Sequence, residues 1–117
     1  MDWKYLLTSY EGRINRAKFW AGLGVMFVGA IVAMLLDNLL GTNFNGMPYG
    51  FIYAIYILAA LYLIFSVYAK RWHDRDKSGW WTLIALVPFI GAIWLLVELG
   101  ILEGTKGPNR YGSDPLA

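Results

Sequence analysis

The sequence predicts an all-α integral membrane protein, a helical bundle of three transmembrane helices preceded by a short interfacial amphipathic helix. The first observation is composition: apolar residues make up 58% of the chain and charged residues 15%, against about 45–50% and about 25% in soluble domains. The second is three uncharged stretches, each long enough for a bilayer core of about 30 Å. The third is that charged residues lie between and beyond these stretches. We therefore expect one membrane domain over residues 1–117.

The amino-terminal segment, residues 1–18, begins with an amphipathic pattern. Trp3, Leu6 and Tyr10 recur at helical spacing, and a short helix rich in Trp and Tyr is typical of the headgroup layer of a membrane. A frayed terminus is the alternative, because so short a helix is marginal in water. Asn15 is expected to cap the next helix, since its side chain can accept a hydrogen bond from a free amide of the first turn.

The first span is predicted at residues 19–40, whose first eighteen residues carry no charge. The small residues Gly22, Gly29 and Ala33 fall on one face of this helix. Small residues one turn apart let two helices approach closely. We expect this face to pack against another helix, either of the same chain or of a second copy.

The second span is predicted at residues 51–69. It follows a linker, residues 37–50, that is rich in Gly, Asn and Pro and lacks Lys and Arg. Tyr53 and Tyr56 share one face of the span. Because a phenol in hydrocarbon needs a partner for its hydroxyl, we expect these side chains to bond to another helix or to reach the interface. A polar pathway through the membrane is the alternative.

The third span, residues 80–102, contains Pro88 and, three residues later, Gly91. Proline removes a helix hydrogen bond, so we expect one transmembrane helix that is kinked or broken at Pro88. The alternative is a re-entrant hairpin, which returns the chain to its side of entry and requires protein to cover the freed backbone. Glu98 lies near the end of the span, where it can reach water. A polar tail, residues 103–117, follows.

The distribution of basic residues predicts the orientation. Of ten Lys and Arg residues, the amino-terminal segment holds four, the linker 37–50 none, the charged loop 70–79 four and the tail two. Because positive charge stays on the cytoplasmic side during insertion, we expect the amino terminus and loop 70–79 inside and the linker outside. Three spans would put the tail outside, whereas its own bases favour the inside, so the side of the tail stays open.

The charged loop holds the densest set of functional groups. It contains the single histidine, His73, and two acids, Asp74 and Asp76, interleaved with four bases and followed by Trp80. Bases beside tryptophan at a membrane border attract anionic headgroups. One histidine with two acids, and no cysteine anywhere in the chain, is too thin a ligand set for zinc. We therefore expect no metal and no cofactor.

Four blocks of the sequence resemble a known family. Gly12–Trp20 is similar to its opening G-R-x-S/N-R-x-x-F/Y-W, and Lys70–Trp81 to its R-x-H-D-x-x-x-S-G/A-W-W segment. Pro88–Gly91 is similar to its P-x-I/L-G, and Gly104–Pro115 to its closing G-T-x-G-x-N-R-F/Y-G-x-D-P. The chain thereby resembles the bacterial membrane family catalogued as domain of unknown function 805. The resemblance implies a small multi-pass protein of the bacterial inner membrane, and it implies no activity.

The polar residues shared with that family lie at the membrane borders. Asn109 and Arg110 among them belong to a loose tail, which suggests that the tail docks on another part of the chain. Arg110 could pair with Asp74 or Asp76 if tail and loop share one side, as the hairpin alternative requires. The candidate interfacial binding site therefore consists of Arg13, Arg16, Arg71, His73, Asp74, Arg75, Asp76, Trp80, Asn109 and Arg110.

These patterns predict a non-catalytic membrane module that binds anionic lipid headgroups or a partner protein through this cytoplasmic surface. Membrane lipids are the expected partners, with a second copy of the chain or another membrane protein beside them. No basic run is long enough to indicate nucleic acid. One alternative is a subunit of a small transporter or channel, which rests on the tyrosine face and Glu98. The other is an interfacial enzyme that uses His73 and Asp74 on a lipid-linked substrate, although no nucleophile is spaced to serve them.

Overall fold

The computed structural model of the protein describes residues 2–116. Regular structure in that range is helical, as predicted, and contains no β-strand apart from two isolated bridges, Asn43–Gly50 and Asn109–Gly112. The third apolar stretch contains a 3₁₀ helix, a short α-helix and a π-helical turn. In chain order the elements are α1 (Trp3–Thr8), α2 (Arg16–Leu40), α3 (Phe51–Asp74), the 3₁₀ helix (Gly79–Leu86), α4 (Ile90–Leu95) and the π-helical turn (Leu96–Ile101).

Two helices are long and apolar enough to cross a membrane. α2 has 25 residues and α3 has 24, so they measure about 37 and 36 Å, more than a bilayer core of about 30 Å. They are antiparallel, because Gly22 near the start of α2 faces Val67 near the end of α3, and Gly29 faces Tyr56. Apolar side chains around their middles, such as Leu58, point away from the protein, as expected for a surface that faces lipid.

The turn between these helices is built around Asp37, whose side chain is fully buried. Its Oδ2 accepts hydrogen bonds from the amides of Gly50 (2.7 Å) and Tyr53 (2.9 Å), and its Oδ1 accepts one from Ile52 (3.0 Å). These are the amides that the first turn of α3 leaves without a partner inside the helix. Thr42 donates its hydroxyl to Oδ1 at 2.5 Å. One carboxylate therefore joins the end of α2 to the start of α3.

The opposite end of the α2–α3 pair carries residues 12–18 and 70–79 and is called the charged end below. Asn15 caps α2 there as predicted, since its Oδ1 accepts a hydrogen bond from the amide of Lys18 at 2.9 Å. The buried hydrophobic core lies at this end, around the fully buried Trp72, and not between the middles of the long helices. α1 packs on this core through Leu6, which is 1% exposed. The most tightly packed part of the fold is therefore the charged end.

The third apolar stretch does not form the single kinked helix that was the first expectation. The chain reverses around Pro88, which has no amide hydrogen to continue a helix, and Phe89, whose φ is 63°. α4 then packs back against the 3₁₀ helix. Gly91 permits the contact, because a Cβ there would overlap the carbonyl oxygen of Ile84. The reversal at Pro88 matches the hairpin alternative, and only α2 and α3 among residues 2–116 have the length of a membrane span.

Both ends of this hairpin lie at the charged end. Gly79, where the 3₁₀ helix begins, packs on Ala69 of α3. Near the far end of the hairpin, the carbonyl of Gly100 accepts a hydrogen bond from Trp20 Nε1 at 3.0 Å. The 8 residues of the 3₁₀ helix rise about 16 Å, about half a bilayer core. Each arm is therefore too short to cross the membrane by itself.

Candidate functional site

The centre of the charged end is Asp74, the last residue of α3, whose carboxylate lies between two guanidinium groups. Arg13 Nε donates to Asp74 Oδ1 at 3.1 Å, and Arg71 forms an ion pair with Oδ2. The three side chains are only 0–5% exposed. We call Arg13, Arg71 and Asp74 the arginine–aspartate cluster. It carries two positive charges and one negative charge in a buried position.

Backbone carbonyl groups from the segment after α4 accept hydrogen bonds from both arginines and so stabilise the excess positive charge. Arg13 donates to the carbonyls of Thr105 (2.6 Å), Gly107 (2.8 Å) and Gly112 (3.2 Å). Arg71 donates to those of Leu99 and Leu102, both at 2.6 Å. A buried charge is tolerated only when it is paired and hydrogen-bonded. The tail and the end of the hairpin are therefore held in place by the two arginines.

Gly104 brings the tail into van der Waals range of the cluster. A Cβ at this position would overlap Asp74 Oδ2, so glycine is required here for steric reasons. The next amide, that of Thr105, donates to the backbone carbonyl of Asp74 at 2.6 Å. The glycine of the closing motif thus has a structural explanation, since a side chain at position 104 would overlap Asp74, and the backbone of Thr105 ties the tail to the end of α3.

His73 supports the tail from its other side. Its ring stacks on Tyr111, with centroids 3.9 Å apart and planes 3° apart. His73 Nδ1 lies 2.9 Å from the carbonyl oxygen of Gly12, and because a carbonyl only accepts, this nitrogen carries the hydrogen. Asn109 donates its side-chain amide to the backbone carbonyl of His73 at 2.9 Å. The side chains of His73 and Asp74 therefore bond to different partners and not to each other.

A second group of ion pairs ties the hairpin to the charged loop. Glu98, 8% exposed, accepts hydrogen bonds from Arg75 Nε (2.9 Å) and Lys77 Nζ (2.6 Å). Arg110 pairs with Asp76 at 3.1 Å in an exposed position, and this neighbouring carboxylate raises the pKa of Arg110. The pairing of Arg110 with Asp76 is one of the two that the sequence suggested. Tail and loop 70–79 therefore lie on the same side of the molecule.

Not every predicted site residue joins this assembly. Trp80 is 78% exposed and lies outside the arginine–aspartate cluster. Arg16 is exposed at the margin of the arginine–aspartate cluster and donates to the carbonyl of Ile101 at 2.7 Å. The expectation of one polar surface therefore needs correction: Arg13, Arg71 and Asp74 are interior, because the tail covers them. The remaining members lie around them: His73 packs against the tail, Asn109 of the tail donates to the His73 carbonyl, Arg75 pairs with Glu98, and Asp76 pairs with Arg110 in an exposed position.

The small residues of α2 lie where α2 and α3 meet. A Cβ on Gly22 would come within 3.2 Å of Val67, and one on Gly29 would overlap the Tyr56 hydroxyl. That hydroxyl donates to the carbonyl of Met26 at 2.6 Å. Ala33, on the same face, is 4% exposed. Close packing within one chain accounts for these residues.

Sequence reasoning missed three polar anchors. Lys70 is fully buried and donates to the carbonyl of Ser9. Asp114 accepts from the amides of Gly107 and Leu116, both at 2.9 Å, and these two bonds lower the pKa of its carboxyl group. Asp37 holds the opposite turn. The role of Asp37 could have been predicted from the sequence, because a lone acid at the end of a span and before a turn is suited to capping the next helix.

Comparisons with known proteins identify a family and several relatives. The family model described as "Protein of unknown function (DUF805)" matches residues 7–113. The chain is 36% identical to "Inner membrane protein YhaH" of Escherichia coli (strain K12), over 98% of this chain and 97% of that protein. It is 35% identical to "Inner membrane protein YhaI" of the same organism, over 91% of this chain and 85% of the relative. "Uncharacterized protein YiiR", also of that organism, is 30% identical over 92% of this chain and 86% of its own length.

No solved structure matches the chain. The apolar α2 and α3, together with relatives named as inner-membrane proteins, identify a bacterial inner-membrane protein of unknown function. The four sequence blocks that suggested the family all fall at least partly within the matched residues, and the resemblance is confirmed. The chain belongs to the DUF805 family.

Proposed function

We propose that this protein is a non-catalytic inner-membrane module that binds anionic phospholipid headgroups at its cytoplasmic border through Lys4, Arg16 and Lys18. The observation that carries the proposal is the difference between two sets of bases. Six bases form ion pairs with carboxylates of the chain: Arg13, Arg71, Arg75, Lys77, Lys106 and Arg110. Among residues 2–116, Lys4, Arg16 and Lys18 form none.

The surroundings of these three bases support a phosphate ligand. Trp3 and Trp20, neighbours of Lys4 and Lys18 in the sequence, are 44% and 46% exposed, and exposed tryptophan is typical of the headgroup layer. Arg16 and Lys18 occupy the first turn of α2, where the positive end of the helix dipole already favours an anion. An anionic headgroup would offset both the side-chain charges and the dipole.

The proposal includes an orientation in the bilayer. α2 and α3 cross the membrane, and the hairpin of residues 79–101 enters from the cytoplasmic side to about half depth. Phe89 at its tip is 85% exposed and Leu86 is 79% exposed, which suits a tip in hydrocarbon. The contact between Arg110 and Asp76 supports a tail on the same side as loop 70–79. α1 would then lie at the interface, and the linker 37–50 would lie outside.

The two alternative functions lose the features on which they rested. A transporter needs polar groups deep in the membrane, but Glu98 is paired with two bases at the charged end, and the Tyr56 hydroxyl is bonded to a backbone carbonyl. An interfacial enzyme would use His73 and Asp74 together, yet their side chains have separate partners. Headgroup binding is the function that the geometry supports best.

The test compares lipid association in nanodiscs of mixed phosphatidylglycerol and phosphatidylcholine, measured with spin-labelled lipids of each kind. Each base near the surface contributes about 1 kcal/mol, or roughly fivefold in affinity. We expect the preference for phosphatidylglycerol to fall at least fivefold in the variant with Lys4→Gln, Arg16→Gln and Lys18→Gln. High salt should weaken the native preference in the same way, because exposed charges are screened.

The control is the variant with Lys106→Gln and Arg110→Gln, which removes two bases that already have carboxylate partners. It should change the preference for phosphatidylglycerol much less. A triple variant that keeps the full native preference would contradict the proposal.

A further inference from the structure

A cleft of about 420 Å³ lies between α3 and the 3₁₀ helix, and none of Arg13, Arg71 and Asp74 lines it. Phe65 and Ala69 of α3 form one wall, and Trp80 and Leu83 of the 3₁₀ helix form the other. The volume is within the usual range for small-molecule sites, about 300–1,000 Å³. None of the lining residues is Lys, Arg, Asp or Glu. The cleft therefore suits an uncharged, largely apolar ligand.

Thr82 lines this cleft and carries a hydroxyl group that lacks a partner. The residue is 7% exposed, and its Oγ1 is buried with no hydrogen-bond partner among the described residues. Leaving a buried hydroxyl unsatisfied costs about 1–3 kcal/mol, so such a group is uncommon without a reason. Ser78, which also lines the cleft, uses its oxygen to accept from the amide of Trp80 at 3.3 Å. Its hydroxyl hydrogen can be donated to a ligand.

His73 contributes an acceptor to the same cleft. Because Nδ1 donates to the carbonyl of Gly12, the neutral ring carries a lone pair on Nε2. That nitrogen is on the side of Gly79, where a Cβ would be 3.9 Å from it, and both residues line the cleft. A hydroxyl group on a ligand could donate to His73 Nε2 and accept from Thr82. Neither a carboxylate nor an ammonium group could do both.

We propose that this cleft binds an uncharged amphiphile with a hydroxyl head, such as a long-chain alcohol or a diacylglycerol, which reaches it from the bilayer. The apolar chain lies between Phe65 and Leu83, and the hydroxyl bonds to Thr82 and His73. This site is separate from the proposed headgroup site, because none of Lys4, Arg16 and Lys18 lines it. Failure of one proposal therefore leaves the other standing.

The experiment uses photo-crosslinking in phosphatidylcholine nanodiscs. The two probes are a long-chain alcohol with a diazirine in its chain and the carboxylate of the same chain, and mass spectrometry maps the labelled residues. We expect the alcohol to label the region of residues 65–83 several-fold more than the carboxylate does. Unlabelled alcohol and unlabelled diacylglycerol serve as competitors, and the more effective one identifies the natural head. Competition by neither would overturn the proposal.

The variant Thr82→Val removes the hydroxyl and keeps the shape of the side chain. Because that hydroxyl has no partner in the protein, thermal stability should be unchanged or slightly raised, whereas labelling by the alcohol should fall about three- to tenfold, the value of one hydrogen bond. Thr8→Val, outside the cleft, is the matched control and should label like the native protein. Equal labelling of Thr82→Val and native protein by the alcohol would overturn the proposal.

A second variant tests whether the probe labels the protein from the cleft or from the surrounding lipid. Leu83→Trp fills the cleft, and it should abolish labelling of residues 65–83 by the alcohol while the protein still elutes as native. Labelling that persists in a folded Leu83→Trp protein would mean that the probe lies outside the cleft, and this result too would overturn the proposal.

Discussion

The two ends of the α2–α3 pair each bury a carboxylate, and they stabilise it by different means. Asp37 accepts hydrogen bonds from three backbone amides and one hydroxyl, and among residues 2–116 it forms no ion pair. Asp74 is held by two guanidinium groups. The first arrangement uses the dipole at the start of a helix. The second uses full charges, which in turn need carbonyl groups from a remote segment.

The two buried acids also differ in how much of the chain their hydrogen bonds join. The partners of Asp37 lie between residues 42 and 53, so its bonds fix one turn. The cluster around Asp74 joins Arg13, Arg71 and the tail up to Gly112, which is 99 positions from Arg13. Replacing Asp37 should therefore disturb only the turn between α2 and α3. Replacing Asp74 should instead weaken the contacts that hold Arg13, Arg71 and the tail together. Three substitutions test this contrast.

The largest effect is expected for Asp74→Asn. It leaves two buried guanidinium groups without a counter-charge, and breaking a buried pair in this way costs about 3–5 kcal/mol. Thermal unfolding in detergent should begin at a clearly lower temperature, and the amide of Thr105, which donates to the carbonyl of Asp74, should exchange its hydrogen faster. The matched control is Asp76→Asn, which removes an exposed ion pair of the kind worth about 0–1 kcal/mol. Similar losses for both variants would refute the special role of the buried acid.

An intermediate effect is expected for Gly104→Ala. The added methyl group would overlap Asp74 Oδ2, and forcing a group into a packed site typically costs about 1–3 kcal/mol. The tail should detach while α2 and α3 stay folded, so hydrogen exchange at the Thr105 amide accelerates although helical circular dichroism is retained. Gly24→Ala serves as the control, because a Cβ there meets nothing within 4 Å. A tail that stays protected in Gly104→Ala would show that the close contact is not required.

The smallest effect on the whole molecule is expected for Asp37→Asn. The amide has one acceptor oxygen where the carboxylate has two, so some of the three helix amides lose their partner. Hydrogen exchange of Gly50, Ile52 and Tyr53 should accelerate about tenfold, as loss of one hydrogen bond predicts. Hydrogen exchange at the Thr105 amide should stay slow. Faster exchange at Thr105 in this variant would mean that the two ends of the α2–α3 pair are coupled.

Much of the fold could be predicted because its signals are local. An apolar stretch predicts a helix of membrane length wherever it occurs, and Asn15 predicts a cap from its position alone. The docking of Arg110 was also within reach, since a polar motif in a tail needs a partner. The hairpin was harder to predict. Pro88 is compatible with both a kink and a reversal, and only packing, through Gly91 against Ile84, decides between them.

The interior of the charged end could not be predicted for a different reason. Sequence patterns place charged residues at a membrane border, and they do not say whether water or backbone carbonyls will solvate them. Arg13 and Arg16 look alike in the sequence, yet one is buried under Gly107 and Gly112 and the other is exposed. The carbonyl groups that cover Arg13 belong to the tail, a segment of irregular structure. Irregular backbone carries no periodic signal from which its path could be inferred.

The long reach of Arg13 has a consequence for biogenesis. During synthesis α2 and α3 can enter the bilayer before residues 99–112 exist, and until then the guanidinium groups of Arg13 and Arg71 lack their carbonyl partners. Nascent chains at that stage would keep these arginines in contact with water or lipid phosphate. Arg71 can be buried once Leu102 has been added, whereas Arg13 gains its last carbonyl partner only with Gly112.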